Sequence, residues 1–182
     1  MSYFLLEVTE QHKILAKSFM DEYRTKGYGK NVLGVTSEKF YEFIYFGKLG
    51  ELVFKNFLDS SRVSCECRDI LKPHPEPYKR EGSDFRLLIT NETVDVKTVE
   101  GRYKKRLLVR EDQFRAKRHD IYIGQRIGID PDTLECWGYV TGRELAMTQP
   151  SDFGYGPCRH RPLMQLHPIE EFIAKAREGK RF

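Results

Sequence analysis

Residues 84–97 read Asp-Phe-Arg-Leu-Leu-Ile-Thr-Asn-Glu-Thr-Val-Asp-Val-Lys. An acid opens an apolar run, a polar turn follows, and Asp-Val-Lys lies on the returning run. Asp95 and Lys97 flank Val96, so in a strand they project from one face while Val94 and Val96 point to the other. A hairpin with its turn near Asn91 brings Asp84 back beside Asp95. Two carboxylates and a lysine on one edge of a sheet can hold Mg²⁺ and activate water against a phosphodiester. The hard carboxylate oxygens suit that ion, and the ammonium offsets charge or polarises the attacking water.

A third acid lies upstream, in Gly47-Lys48-Leu49-Gly50-Glu51. It falls in a segment whose Phe40, Phe43, Ile44, Phe46, Leu49, Val53 and Phe57 predict a long helix from about Glu38 to Asp59, with Ser37 as N-cap. A helix so apolar is expected to pack on a sheet rather than lie at the surface. Each interior glycine costs about 1 kcal/mol relative to alanine, so the pair calls for a reason, and close approach of a sheet or ligand is the natural one. Glu51 then points at whatever approaches. The plain alternative is a tight helix-packing site with Glu51 turned to solvent.

Net charge is +4, but between Lys97 and Arg118 nine Lys or Arg stand against three acids, a local excess of +6 that leaves the rest of the chain at −2. This field lies directly downstream of the proposed metal site, where a phosphate backbone would have to run. A basic run standing alone would read as an ordinary solvated face.

The remaining elements must position these residues. Residues 10–26 read as a helix on the spacing of Ile14, Leu15, Phe19 and Met20, and the chain breaks at Gly27-Tyr28-Gly29. A short strand is expected near Arg62–Cys67, then a loop through Lys72-Pro73-His74-Pro75-Glu76-Pro77. Strands at 84–90 and 93–99 form the hairpin and Gly101–Lys105 a basic loop. A helix at 111–118, strands at 121–126 and 135–140, and a short helix over 142–147 follow. Residues 148–162, rich in proline and glycine, read as loop. Pro168 fits the first turn of a last helix striped by Ile169, Phe172, Ile173 and Ala176. The order suggests an α/β sandwich with a mixed sheet.

A chain of 182 residues is expected to form one domain, 1–182, with its core over about 38–140 and the first and last helices as additions. Its 40% apolar and 13% aromatic content exclude wholesale disorder. The apolar runs are too short to span a bilayer and no charged-then-apolar leader opens the chain, so a soluble, cytoplasmic protein with no membrane partner is expected. Cys65, Cys67, Cys136 and Cys158 do not look like a disulfide framework.

Taken in order, Gly47-x-x-Gly50-Glu51, Ser83-Asp84-Phe85 and Val94-Asp95-Val96-Lys97-Thr98 resemble the motifs of the PD-(D/E)XK nuclease superfamily. The resemblance covers about residues 38–125, and Ser83 stands where the family name has Pro. It implies the restriction-endonuclease-like fold, an α/β sandwich with a central mixed β-sheet flanked by helices. Asp84, Asp95 and the backbone carbonyl of Val96 would bind Mg²⁺, which Mn²⁺ can replace. Glu51 would complete the shell through water or hold a second ion, and Lys97 would orient the nucleophile. Some members carry a further Gln on the helix after the lysine strand; Gln113 is the candidate, with an exposed polar residue on a surface helix as the equal alternative. The implied activity is Mg²⁺-dependent hydrolysis of DNA phosphodiester bonds to 5′-phosphate and 3′-hydroxyl ends. The partner would be DNA, structured or single-stranded, met through Arg102, Lys104, Lys105, Arg106 and Lys117; a homodimer is compatible. The rival readings are a nucleic-acid-binding or assembly protein that keeps the fold without catalysis, and a metal-dependent phosphohydrolase acting on nucleotides.

Other signals carry less. Cys65-x-Cys67 with Cys158-x-His160 could be drawn as a four-ligand zinc site, and some related nucleases hold an iron–sulfur cluster, but the spacing is not that of the usual zinc knuckle and buried reduced thiols are the default. His74, His119 and His167 show no partner at suggestive spacing. Tyr103 among basic residues could stack on a base or simply serve local packing.

Overall fold

Two threonines start the N-terminal helices. The computed structural model describes residues 3–26, 36–67, 83–101, 105–130, 132–154 and 156–182. The expected break at 27–29, the proline loop at 72–77, His74, Arg102, Tyr103 and Lys104 lie outside them. Helix α1 spans Glu10–Thr25. The Thr9 hydroxyl accepts from the His12 amide at 3.3 Å while His12 Nδ1 accepts from the Thr9 amide at 3.1 Å, so two otherwise orphaned N–H groups are satisfied reciprocally. Its buried stripe is His12, Ala16, Phe19 and Tyr23. Ile14, placed on that stripe by the sequence pattern, is 59% exposed instead. Helix α2 spans Ser37–Ser60, and its cap is Thr36 rather than Ser37, with the Thr36 hydroxyl accepting from the Lys39 amide at 3.3 Å.

Six strands form one mixed sheet: β1 (Phe4–Glu7), β2 (Cys65–Glu66), β3 (Phe85–Leu87), β4 (Thr93–Val99), β6 (Ile121–Ile127) and β7 (Thr133–Thr141), in the order β1-β7-β6-β4-β3-β2. Only β4 and β6 run parallel. A parallel pair needs a crossover, and here it contains β5 (Arg106–Arg110) and helix α3 (Glu111–Ala116). The β3–β4 hairpin turns at Asn91, whose φ of 62° is the left-handed conformation asparagine tolerates. Strand β3 is shorter than expected, because Leu88 and Ile89 leave the sheet and are each 60% exposed.

A small second sheet, β5-β9-β8, joins β5 to β8 (Ser151–Asp152) and β9 (Pro157–Pro162). The sequence reading gave 148–162 as loop and no strand at 4–7 or 106–110, so these four strands are corrections. Each is short, and prolines or charged residues hide the alternation. Arg159 ties the small sheet down: Nη1 donates to the carbonyls of Ala146 (2.6 Å) and Thr148 (2.8 Å), and Nη2 to Glu111 Oε1 at 3.1 Å. Ala146 closes helix α4 (Gly142–Ala146), and the last helix, α5 (Ile169–Glu178), ends on Gly179 at φ 67°.

Both faces of the large sheet are covered. On one, Phe54 of α2 meets Phe85 of β3 (centroids 5.8 Å apart) and Phe172 of α5 (6.1 Å), with Ile121 and Ile123 beneath them. On the other, Tyr122 packs with Leu107, Val109, Phe114, Leu145 and Leu163. The protein is therefore mixed α/β, a mixed sheet flanked by helices. Among the described residues no helix is long and apolar enough to cross a membrane.

The two glycines of α2 have different reasons. A Cβ on Gly50 would overlap Thr98 Oγ1 and come within 2.7 Å of Gln125 Oε1, so α2 crosses the sheet at a distance only glycine allows. A Cβ on Gly47 meets nothing within 4 Å. Chemical denaturation should separate them. Gly47→Ala is expected to stabilise by up to about 1 kcal/mol through helix propensity. Gly50→Ala should lose about 1–3 kcal/mol to overpacking, part of it recovered in Gly50→Ala/Thr98→Ala.

Candidate active site

The pairing of Phe85 with Val94 leaves Asp84, just ahead of β3, facing the middle of β4. Asp84 is pinned there, its Oδ2 accepting from the Val96 amide at 2.7 Å. In β4 the alternation is as expected: Val94 and Val96 are buried on the core face, while Asp95 and Lys97 share the other and meet at 2.7 Å. Because α2 passes so close at Gly50, the next residue, Glu51, is delivered to the same place. These side chains open on one cavity of about 410 Å³. Glu51, Asp84, Asp95 and Lys97 line it, and Gln113 and Lys117 close it from α3 and the turn beyond.

The basic residues divide. Lys117 faces the cavity, whereas Lys105 and Arg106 lie outside it. Lys105 is exposed and Arg106 reaches along the small sheet to His160 Nδ1 at 3.0 Å.

The electrostatics are those of carboxylates crowded out of water. Burial, then the charge of Glu51, then that of Asp95 push the Asp84 carboxyl well above the usual range, and Lys97 and the Val96 amide offset only part of this. Burial by itself would lower Lys97, but Asp95 and Asp84 outweigh it and hold the ammonium above its ordinary value. Asp95 Oδ2 is buried and meets the Lys97 ammonium yet receives no well-directed hydrogen bond.

Three cavity residues escaped the sequence reading. Lys48, only 3% exposed, forms an ion pair with Glu51 one turn on. His119, read as lacking a partner, has Nε2 4.0 Å from Asp95 Oδ1 and a buried Nδ1 with no hydrogen bond; burial lowers its pKa, so the ring is neutral near pH 7. Tyr122, pushed up to about 12 by burial, accepts the His119 amide at 3.0 Å. The i, i+3 spacing of Lys48 and Glu51 was the one available signal. His167 has Nε2 2.8 Å from Glu144 Oε1. Cys65 and Cys67 lie at the β2 edge and Cys158 and His160 on the small sheet, and the four cysteines form no disulfide.

Among the described residues, no group of three or more His, Cys, Asp or Glu side chains is drawn together in a metal-holding arrangement. Glu51 is paired with Lys48, and Asp95 with Lys97. The donor chemistry still fits a hard divalent cation, since mutually repelling carboxylates and a poorly satisfied Asp95 oxygen face one cavity. Searches against protein-family models, curated proteins and solved structures found no match.

Asp84 sets a pH signature. Its folded pKa exceeds its unfolded one, so the penalty for ionising it is absent below the unfolded value and complete above the folded value. Metal-free protein should lose stability as pH rises through that interval. Asp84→Asn removes one charge at nearly constant shape. In chelator at neutral pH it should melt higher than wild type, and that arm of the pH dependence should flatten. A lower melting temperature for the variant would make Asp84 a structural hydrogen-bonding residue.

Proposed function

We propose that this protein is a Mg²⁺-dependent nuclease of the PD-(D/E)XK superfamily, with the restriction-endonuclease-like fold, hydrolysing DNA phosphodiester bonds to 5′-phosphate ends. The observation that carries this reading is the cavity in which Asp84, Asp95 and Lys97 of one hairpin meet Glu51 of the helix crossing it. Four residues, one from α2, one just ahead of β3 and two from β4, line this one cavity, which supports the reading.

A magnesium ion held by Asp84, Asp95 and the Val96 carbonyl would supply a water of lowered pKa and shield the phosphate oxygens. Lys97, fixed against Asp95, would orient the attacking water and stabilise negative charge developing on the phosphoryl oxygens. Gln113 and Lys117 face the incoming phosphate from across the cavity. Phe19 and Phe43 close its wall beside Glu51 and limit water there. A second reading, a nucleic-acid-binding protein without catalysis, is favoured by Lys48, whose ammonium pairs with Glu51.

Incubating circular and linear DNA with Mg²⁺ or Mn²⁺ separates the readings. Asp95→Ala and Lys97→Ala should each abolish cleavage with an unchanged circular dichroism spectrum, and only Asp95→Ala should greatly weaken Mg²⁺ binding. Full activity in either variant would sink the assignment. Replacing Lys104, Lys105 and Arg106 by Ala should weaken duplex binding for all sequences and lower the log–log salt slope by about 0.9 per lost phosphate contact. An unchanged slope means that segment faces away from the substrate.

A further inference from the structure

Lys48 is a charged side chain at a position that ought to be apolar. It sits in the middle of α2, 3% exposed, with its ammonium 4.4 Å above the centre of the Phe19 ring of α1 and paired with Glu51. Glu51 is itself largely buried, with 14% of its side chain exposed. A buried ammonium stripped of its carboxylate is strongly destabilising, and the Phe19 face supplies only part of the compensation. Moving Glu51 onto a cation would impose that loss and set the cation beside an unpaired ammonium.

We infer that Lys48 is a positioning residue, a built-in counter-cation that holds Glu51 off the metal and limits the site to a single divalent ion. The inference rests on the metal-site reading above and chooses between the two roles open to Glu51. Charge counting agrees. Among the described residues, the acids lining the cavity are Glu51, Asp84 and Asp95, and its lysines are Lys48, Lys97 and Lys117. One divalent ion leaves an excess of positive charge that an incoming phosphodiester can offset. A second would add two more charges with no further carboxylate to receive them.

Mn²⁺ titration, followed by calorimetry and by the EPR signal of the free ion, tests this without reference to activity. Wild type should bind one Mn²⁺ per chain. Glu51→Gln, which keeps its shape and leaves Lys48 in place, should still bind one ion, with a clearly smaller loss of affinity than Asp95→Asn, which should lose at least about tenfold. Lys48→Met should bind a second ion, lost again in Lys48→Met/Glu51→Gln, and Lys48→Arg should restore one. Two ions on wild type, a Glu51→Gln loss as large as that of Asp95→Asn, or a single ion on folded Lys48→Met overturns the inference while the metal site stands. The first two outcomes do not depend on whether Lys48→Met folds. No Mn²⁺ on wild type, or wild-type affinity in Asp95→Asn, overturns the metal-site reading and this inference with it.

Discussion

The passage of α2 over β4 at Gly50 is the contact on which the rest of the site depends. The missing side chain lets the helix settle against Thr98 and Gln125, and that spacing fixes how far Glu51 stands from Asp84 and Asp95. It also places Lys48 under α1 and Phe54 against Phe85, so one close approach sets cavity and core together. A helix lifted by a single methyl group would move all of these at once.

Around that contact the cavity is a problem in charge. Burial makes the three carboxylates costly beside one another, and the lysines lower the cost by standing close. The neutral His119 and the high-pKa Tyr122 add polarity without adding charge. Away from the cavity, the same face of the large sheet has no such conflict. There Tyr122, Leu107, Val109 and Leu163 form an apolar layer with the small sheet, and Arg159 joins its surroundings through carbonyls and Glu111. The charge conflict is thus confined to the cavity, where ligand binding can relieve it.

Much of this was legible in the sequence because it depends on short periods. The two-residue alternation of Val94, Asp95, Val96 and Lys97 and the turn at Asn91 fixed the hairpin, and the glycine at 50 announced a close approach. Gly47 announced nothing of the kind, since propensity cannot distinguish a glycine that is needed from one that is tolerated. The α1 stripe was misplaced because Ile14 and His12 compete for it, and capping by Thr9 draws His12 inward. Strands β5, β8 and β9 were illegible for another reason. They are held by pairing with one another and by Arg159, and proline, arginine and histidine dominate them. Lys48 and His119 were missed because burial of a charged or polar group is decided by what packs over it, which no local pattern records.

Strand β1 pairs with β7, Phe4 lying opposite Cys136 and Glu7 opposite Thr133. Among the described residues, the one strand beside β1 thus lies more than a hundred residues further along the chain. Until β7 has formed, Phe4, Leu5 and Leu6 have no sheet to join, while the α1–α2 pair can already form from adjacent sequence. Such distant pairing slows folding, because the closure entropy of the whole intervening chain is met before any contact rewards it. A strand tied to the sheet across so long a loop is expected to add late, after the α1–α2 pair and the β3–β4 hairpin have formed from neighbouring sequence.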